Sequence, residues 1–198
     1  MILGLTGAFG GGKSTVLSYF KSKNWHTFDA DSACHALYDS GDPELIEKVR
    51  ELFGETAVSG DGKIDRKVIA ASAFAHPEKL KALTATLYPL LEKRMQSEID
   101  QCRKQGVSGI FELPLLYESG YERFFDAVLA IWCDPELRSQ RLGNRNYSPE
   151  EMKKRDARQL SPALKLEYAD YAVVNNGSAE SLNRQIDLLI RQFGAASK

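Results

Sequence analysis

Residues 7–15 read Gly7-Ala8-Phe9-Gly10-Gly11-Gly12-Lys13-Ser14-Thr15, the spacing G-x-x-x-x-G-K-[ST], and no other stretch limits the possible folds so tightly. Apolar residues 2–6 run into it as a buried strand would, and a segment of helical period opens at Lys13. Glycines let the backbone turn so that successive N–H groups converge on one point. The N-terminus of the following helix adds its partial positive charge. Such a turn between strand and helix points to an α/β fold and to a bound nucleoside triphosphate. Gly7, Gly10, Gly11 and Gly12 would shape the cradle, Lys13 would offset β- and γ-phosphate charge, Ser14 would ligate Mg²⁺, and Thr15 would complete the loop. Lys13 is expected to serve the ligand and to pack nowhere in the core.

The rest of the chain alternates short apolar runs with longer helical periods. The runs lie at 2–6, 25–28, 107–113, 127–133 and 171–175, and helical readings cover 13–23, 31–38, 44–53, 66–74, 77–105, 135–144, 149–159 and 179–193. Strands separated by helices give right-handed crossovers, hence a five-stranded parallel sheet flanked by helices. Between residues 28 and 107 there is almost no strand signal, far more chain than a crossover needs, so a helical insertion beside the sheet is expected. Pro89 falls inside the long helical pattern and is expected to break or kink it near Leu87.

Composition removes several function classes. The chain has 198 residues, enough for one domain with a full core, and its net charge of −1 disfavours a nucleic-acid partner. No apolar run reaches the ~18–20 residues of a membrane span. Cys34, Cys102 and Cys133 form no metal-spaced pair, and His26, His35 and His76 are isolated. Free thiols in a reducing, cytoplasmic compartment are expected.

Other candidates fall at predicted strand ends, which line the ligand crevice of a parallel sheet. Asp29-Ala30-Asp31 follows the second strand. If the chain stays extended both carboxylates face one way, and one accepts a proton from a substrate hydroxyl, whereas a helix N-cap is the bland alternative. Glu112 closes the third strand, where a carboxylate holds Mg²⁺ or its waters in phosphate-loop proteins, unless it simply faces solvent. Arg138, Arg141 and Arg145 share one helical face. A solvated surface accounts for most such charges, with one or two left to meet transferring phosphoryl charge. Asn175-Asn176-Gly177 has turn chemistry at the fifth strand's end and suits adenine recognition. There is no N-K-x-D guanine-reading segment, so ATP is the expected nucleotide.

Taken in order, these stretches resemble the dephospho-CoA kinase family. The resemblance rests on Gly4-Leu5-Thr6-Gly7 with the phosphate loop, Phe28-Asp29-Ala30-Asp31, Gly62-Lys63-Ile64-Asp65-Arg66 with Phe74, and Leu113-Pro114-Leu115-Leu116-Tyr117-Glu118. Gln140-Arg141-Leu142 with Arg145, Arg155 with Gln159, and Ala169-Asp170-Tyr171 running to Asn175-Asn176-Gly177 complete it. It implies a phosphate-loop kinase core (1–31, 105–135 and 160–198), a helical substrate subdomain over 32–104 and a lid over 136–160. It also implies Mg²⁺- and ATP-dependent phosphorylation of the ribose 3′-hydroxyl of dephospho-CoA, with no nucleic-acid or membrane partner and a monomer or weak homo-oligomer. Asp31 takes the catalytic role among the aspartates, Arg141 bridges the ATP phosphates, and Asn175 lies at the nucleotide. Another small-molecule or nucleoside monophosphate kinase of the same fold is the alternative. Two positions depart from the family pattern: Tyr88-Pro89 stands where His-Pro is usual, and Glu112 where Asp is usual. If Tyr88 only lines the acceptor side, Tyr88→His should keep turnover and both KM values within about threefold, the range of a neutral substitution. A strongly raised acceptor KM alone would show that the tyrosine makes a contact of its own.

Overall fold

Six consecutive buried residues, Ile2–Gly7 (β1), mark a strand covered on both faces, and β1 is the middle strand of the sheet. The structure, a computed structural model, describes residues 1–196; side chains 70, 73–75, 77, 195 and 196 are outside the description, and with them the Phe74 side chain. The other strands are His26–Asp29 (β2), Gly109–Glu112 (β3), Ala127–Trp132 (β4) and Tyr171–Val174 (β5). They form one five-stranded sheet in the order β2-β3-β1-β4-β5, with every pair parallel. The apolar runs and the strands therefore coincide. All five C-terminal ends lie along one edge, where the register sets Asp29 beside Glu112 and Glu112 beside Leu5.

Contacts divide the chain into two units, Met1–Asp29 with Ile99–Lys198, and Ala30–Glu98. In the first, Lys13–Ser22 (α1) and Ala179–Ala196 (α9) cover one sheet face. Val16 and Phe20 of α1 and Leu182, Ile186 and Phe193 of α9 pack there with Leu3, Leu5, Leu129 and Val173. Alternation sends Thr6 to the other face, where Pro162–Tyr168 (α8) lies against β1 and β4. Pro135–Gly143 (α6) and Pro149–Asp156 (α7) follow β4. The second unit holds Ala30–Tyr38 (α2), Pro43–Phe53 (α3), Arg66–Ala75 (α4) and most of Pro77–Gln105 (α5), around Leu45, Val49, Ile64, Leu83 and Leu87. No described helix is long and apolar enough to cross a membrane.

Helix starts follow local chemistry. Asp42, Asp134, Ser148 and Ser161 each accept a backbone N–H of the first turn and are each followed by proline at the start of the helix. Pro89, by contrast, does not break α5, which runs unbroken through it. A proline removes one hydrogen bond, but Leu83, Leu87, Leu91, Met95 and Ile99 repeat every four residues and are all buried, so burial holds the helix together. α8 was not expected from the periodicity, because seven residues make barely two turns.

Two aspartates fasten strand beginnings. Asp126 accepts the Ile2 N–H at 2.7 Å, and Asp170 accepts the Val128 N–H at 2.8 Å. Asp170 thus owes its place in the Ala169-Asp170-Tyr171 motif to the sheet. Asp170→Ala should orphan a mostly buried N–H, costing about 1–2 kcal/mol and lowering Tm by roughly 2–6 °C. Thermal melts with and without ATP, together with the KM for ATP, check this; an unchanged Tm or a large KM effect would be the contrary result.

Candidate active site

The phosphate loop joins β1 to α1 and turns on residues that other side chains could not replace. Gly10 and Gly12 have φ of +77° and +101°, conformations that side-chain-bearing residues rarely adopt. A Cβ at Gly12 would lie 2.1 Å from the Asn175 amide nitrogen, and one at Gly10 would strike Leu142 of α6 at 2.6 Å. The loop is held from inside by Gly11 N–H to the Ala8 carbonyl at 3.0 Å and from outside by the Asn175 amide to the Gly11 carbonyl at 2.9 Å. Lys13 and Ser14 open α1, where helix geometry leaves N–H groups to point outward at an anion.

Lys13 is buried, contrary to the expectation that it packs nowhere in the core. Its ammonium donates to the Gly7 carbonyl at 3.1 Å and the Ala8 carbonyl at 3.2 Å, and lies 3.9 Å from Glu112 Oε1. The reason is geometric: the loop wraps over the first turn of its own helix, so its carbonyls reach the lysine head. Glu112 is buried too, at the C-terminal end of β3, and is therefore not a solvent-facing strand end. Ser14 and Thr15 are exposed on the first turn of α1. The Ser14 hydroxyl and the Glu112 carboxylate are hard oxygen donors suited to Mg²⁺. The described residues contain no group of three or more His, Cys, Asp or Glu able to hold a metal.

The aspartates separate. α2 begins at Ala30, so Asp29 ends β2 in the N-cap position while Asp31 lies exposed in the first helical turn, within the second unit. The chain does not stay extended across the pair, and strand alternation does not align their carboxylates. Asp31 is thereby also excluded as the cap.

The arginine stripe is only in part a solvated face. Arg141 donates to the Asn175 carbonyl at 2.9 Å and to Cys133 Sγ at 3.4 Å. Burial pushes the Cys133 thiol pKa up, with the Arg141 and Arg138 charges opposing. Arg138 makes a two-pronged pair with Asp156 of α7, at 2.7 and 2.6 Å, and donates to the Phe9 carbonyl of the phosphate loop at 3.2 Å. The Asp156 hydrogen bond raises the Arg138 pKa further. Arg155 stacks over the Phe9 ring at 4.4 Å, and Tyr147 meets the same ring edge-on at 5.0 Å. Arg145 is exposed. Gly11, Asn175 and Arg141 thus form one connected chain from loop to helix. The Phe9 cluster and the buried Lys165 of α8 were not among the sequence candidates. Phe9 occupies a variable position of the loop spacing, and Lys165 belongs to no recognisable motif.

A parallel sheet in the order β2-β3-β1-β4-β5, with a phosphate loop after its central strand and a buried lysine–carboxylate pair at the strand ends, defines a phosphate-loop kinase. A family model described as dephospho-CoA kinase matches residues 1–181. The chain belongs to the dephospho-CoA kinase family. It is 36% identical over 188 residues to a dephospho-CoA kinase of Symbiobacterium thermophilum, covering 94% of this chain and 78% of that one. It is 34% identical over 186 residues to that of Enterococcus faecalis, covering 93% of each. Among solved structures, a dephospho-CoA kinase from Campylobacter jejuni superposes with a TM-score of 0.78 at 25% identity, covering 100% of this chain and 98% of that one. A Thermus thermophilus protein superposes at 0.79 with 30% identity, covering 97% of each.

The two inner arginines are separable by mutation. If Arg141 exchanges the Asn175 carbonyl for phosphate oxygens during transfer, Arg141→Ala should lower kcat by ~10³ or more, as a transition-state arginine does. Arg138→Ala should cost far less, since its partners are Asp156 and a loop carbonyl. Turnover of both variants at saturating ATP decides it, and equal small losses would remove Arg141 from the chemistry.

Proposed function

We infer that the protein transfers the γ-phosphoryl group of ATP to the ribose 3′-hydroxyl of dephospho-CoA, producing coenzyme A and ADP. The observation that carries this reading is the buried Lys13–Glu112 pair beneath a glycine loop at the strand ends, in a chain that belongs to this family throughout its core. In the reaction the acceptor oxygen bonds to the γ-phosphorus, the bond from that phosphorus to the bridging oxygen breaks, and ADP leaves with the electron pair. The loop N–H groups and Lys13 meet the nucleotide phosphates. Lys13 exchanges its Gly7 and Ala8 carbonyl partners for phosphate oxygens, so little reorganisation accompanies binding. Ser14 and Glu112, directly or through water, would hold Mg²⁺, which would supply neutralisation of the charge on the leaving phosphate.

Asp31 takes the 3′-hydroxyl proton. A loose phosphoryl-transfer transition state asks little of a base until late, so the larger share of its effect is orientation of the hydroxyl in line with the γ-phosphorus. Residues 32–104 serve the acceptor, and 136–160 close over the nucleotide. The working compartment is the cytoplasm, where reducing conditions keep thiols such as Cys34, Cys102 and Cys133 unoxidised.

A coupled ADP-release assay with dephospho-CoA, pantetheine, AMP, CMP, shikimate or no acceptor tests the assignment. Dephospho-CoA should exceed every other acceptor in kcat/KM by at least ~10², a ratio that hydrogen-bonded recognition readily supplies. Preference for AMP or shikimate would move the chain to another acceptor. Asp31→Asn should lower kcat by at least ~10² with ATP binding unchanged. Retained activity there, beside severe loss in Asp29→Asn, would exchange the two roles.

A further inference from the structure

Three residues of the sequence motifs have no place in the chemistry above: Pro114 and Glu118, which follow β3, and Gln159, which follows α7. All three meet at one atom. The Lys165 side chain is 1% exposed, and its ammonium donates to the Pro114 carbonyl at 2.5 Å and to Gln159 Oε1 at 3.2 Å, with Glu118 Oε1 at 3.0 Å. The Thr6 hydroxyl, one residue before the phosphate loop, lies 3.5 Å away. Glu118 also accepts the Leu160 N–H at 2.6 Å, so the same pair pins the chain just beyond Arg155 and Arg158.

A lysine this deeply covered is costly unless its charge and all its donors are satisfied. An ammonium has three N–H donors, and here four oxygens surround it. Two of them belong to the segment that continues directly from Glu112, and one to the segment that ends the arginine-bearing excursion. Burial lowers the Lys165 pKa, and the Glu118 hydrogen bond opposes the shift.

We propose that Lys165 is a positioning residue for phosphoryl transfer: its buried ammonium fastens residues 113–118 and 159–160 to β1. Glu112 and the arginines of 136–158 are thereby held at the strand ends. Lys165 touches no reacting atom; it acts through Pro114, Glu118 and Gln159. This proposal rests on the kinase reading of the same site.

The test uses Lys165→Met, Lys165→Arg and Glu118→Gln, each with kcat, KM for ATP, Tm and amide exchange. Lys165→Met should lower kcat about 10- to 100-fold at a temperature where the variant is fully folded, with KM for ATP changed less than about threefold, the range expected when a positioning interaction is realised mainly in the transition state. Lys165→Arg, which keeps the charge, should recover most of the loss. Exchange at the Leu160 amide should quicken at least about tenfold in Lys165→Met while β1 and β4 amides stay protected, as local opening requires. Should Lys165→Met fail to fold, Glu118→Gln keeps an acceptor but removes the counter-charge, and it should show the same kcat loss and faster Leu160 exchange. Wild-type kcat in folded Lys165→Met or Glu118→Gln, or an unchanged Leu160 amide, would overturn the proposal. Exchange needs no acceptor, so a wild-type protein that fails to phosphorylate dephospho-CoA would count against the kinase reading while the Leu160 measurement still decides the role of Lys165.

Discussion

The site depends on a backbone that can turn back over the first residue of its own helix. With left-handed φ at Gly10 and Gly12, the loop carbonyls of Gly7 and Ala8 reach the Lys13 ammonium. Neighbouring elements are built close around that turn. Asn175 of the chain after β5 fills the space a Gly12 side chain would need, and Leu142 of α6 fills the corresponding space at Gly10. A cradle packed this tightly is preorganised, which is what electrostatic stabilisation of a transferring phosphoryl group requires.

Two buried ammoniums, Lys13 and Lys165, lie within this unit, and each finds its carboxylate on β3 or the segment that continues it. Glu112 is the partner of the first and Glu118 of the second. Removing a partner from a buried ion pair is far more damaging than the pair is stabilising, so such pairs persist for what they position. One binds the loop and the other the segments flanking it. Both carboxylates thus come from a single stretch of chain, and Pro114 and Glu118 of the Pro114-Leu115-Leu116-Tyr117-Glu118 motif meet the Lys165 ammonium there.

Sequence reasoning reached the fold through strong signals. The apolar runs became the five strands, of which the inner three, β3, β1 and β4, are buried on both faces while the edge strands β2 and β5 are only partly covered, and the phosphate loop fell where strand meets helix. It failed where tertiary packing outweighs local preference. Pro89 did not break α5, since a buried stripe of Leu, Met and Ile holds the helix, and α8 was too short to show a period. Near the phosphate loop, Lys13, Glu112 and Asn175 drew attention through spacing or strand-end position, whereas spacing alone did not separate Arg141 from Arg138 and Arg145. Lys13 was nevertheless expected outside the core, because a lysine's burial depends on carbonyls whose approach no residue type announces. Lys165 was invisible for the same reason: Thr6 and Pro114 lie 159 and 51 residues away in sequence, Glu118 is likewise remote, and Gln159 alone of the four is near.

Single-turnover transfer of a γ-labelled phosphoryl group from ATP to dephospho-CoA, comparing wild type with Lys13→Met, tests the phosphate-loop account most directly. If Lys13 passes from the loop carbonyls to the phosphates, the variant should transfer at least ~10²-fold more slowly, the scale for losing one preorganised donor. Its circular dichroism should be unchanged, and the wild-type product should carry label on the ribose 3′-oxygen. Transfer by folded Lys13→Met at close to the wild-type rate would contradict the account.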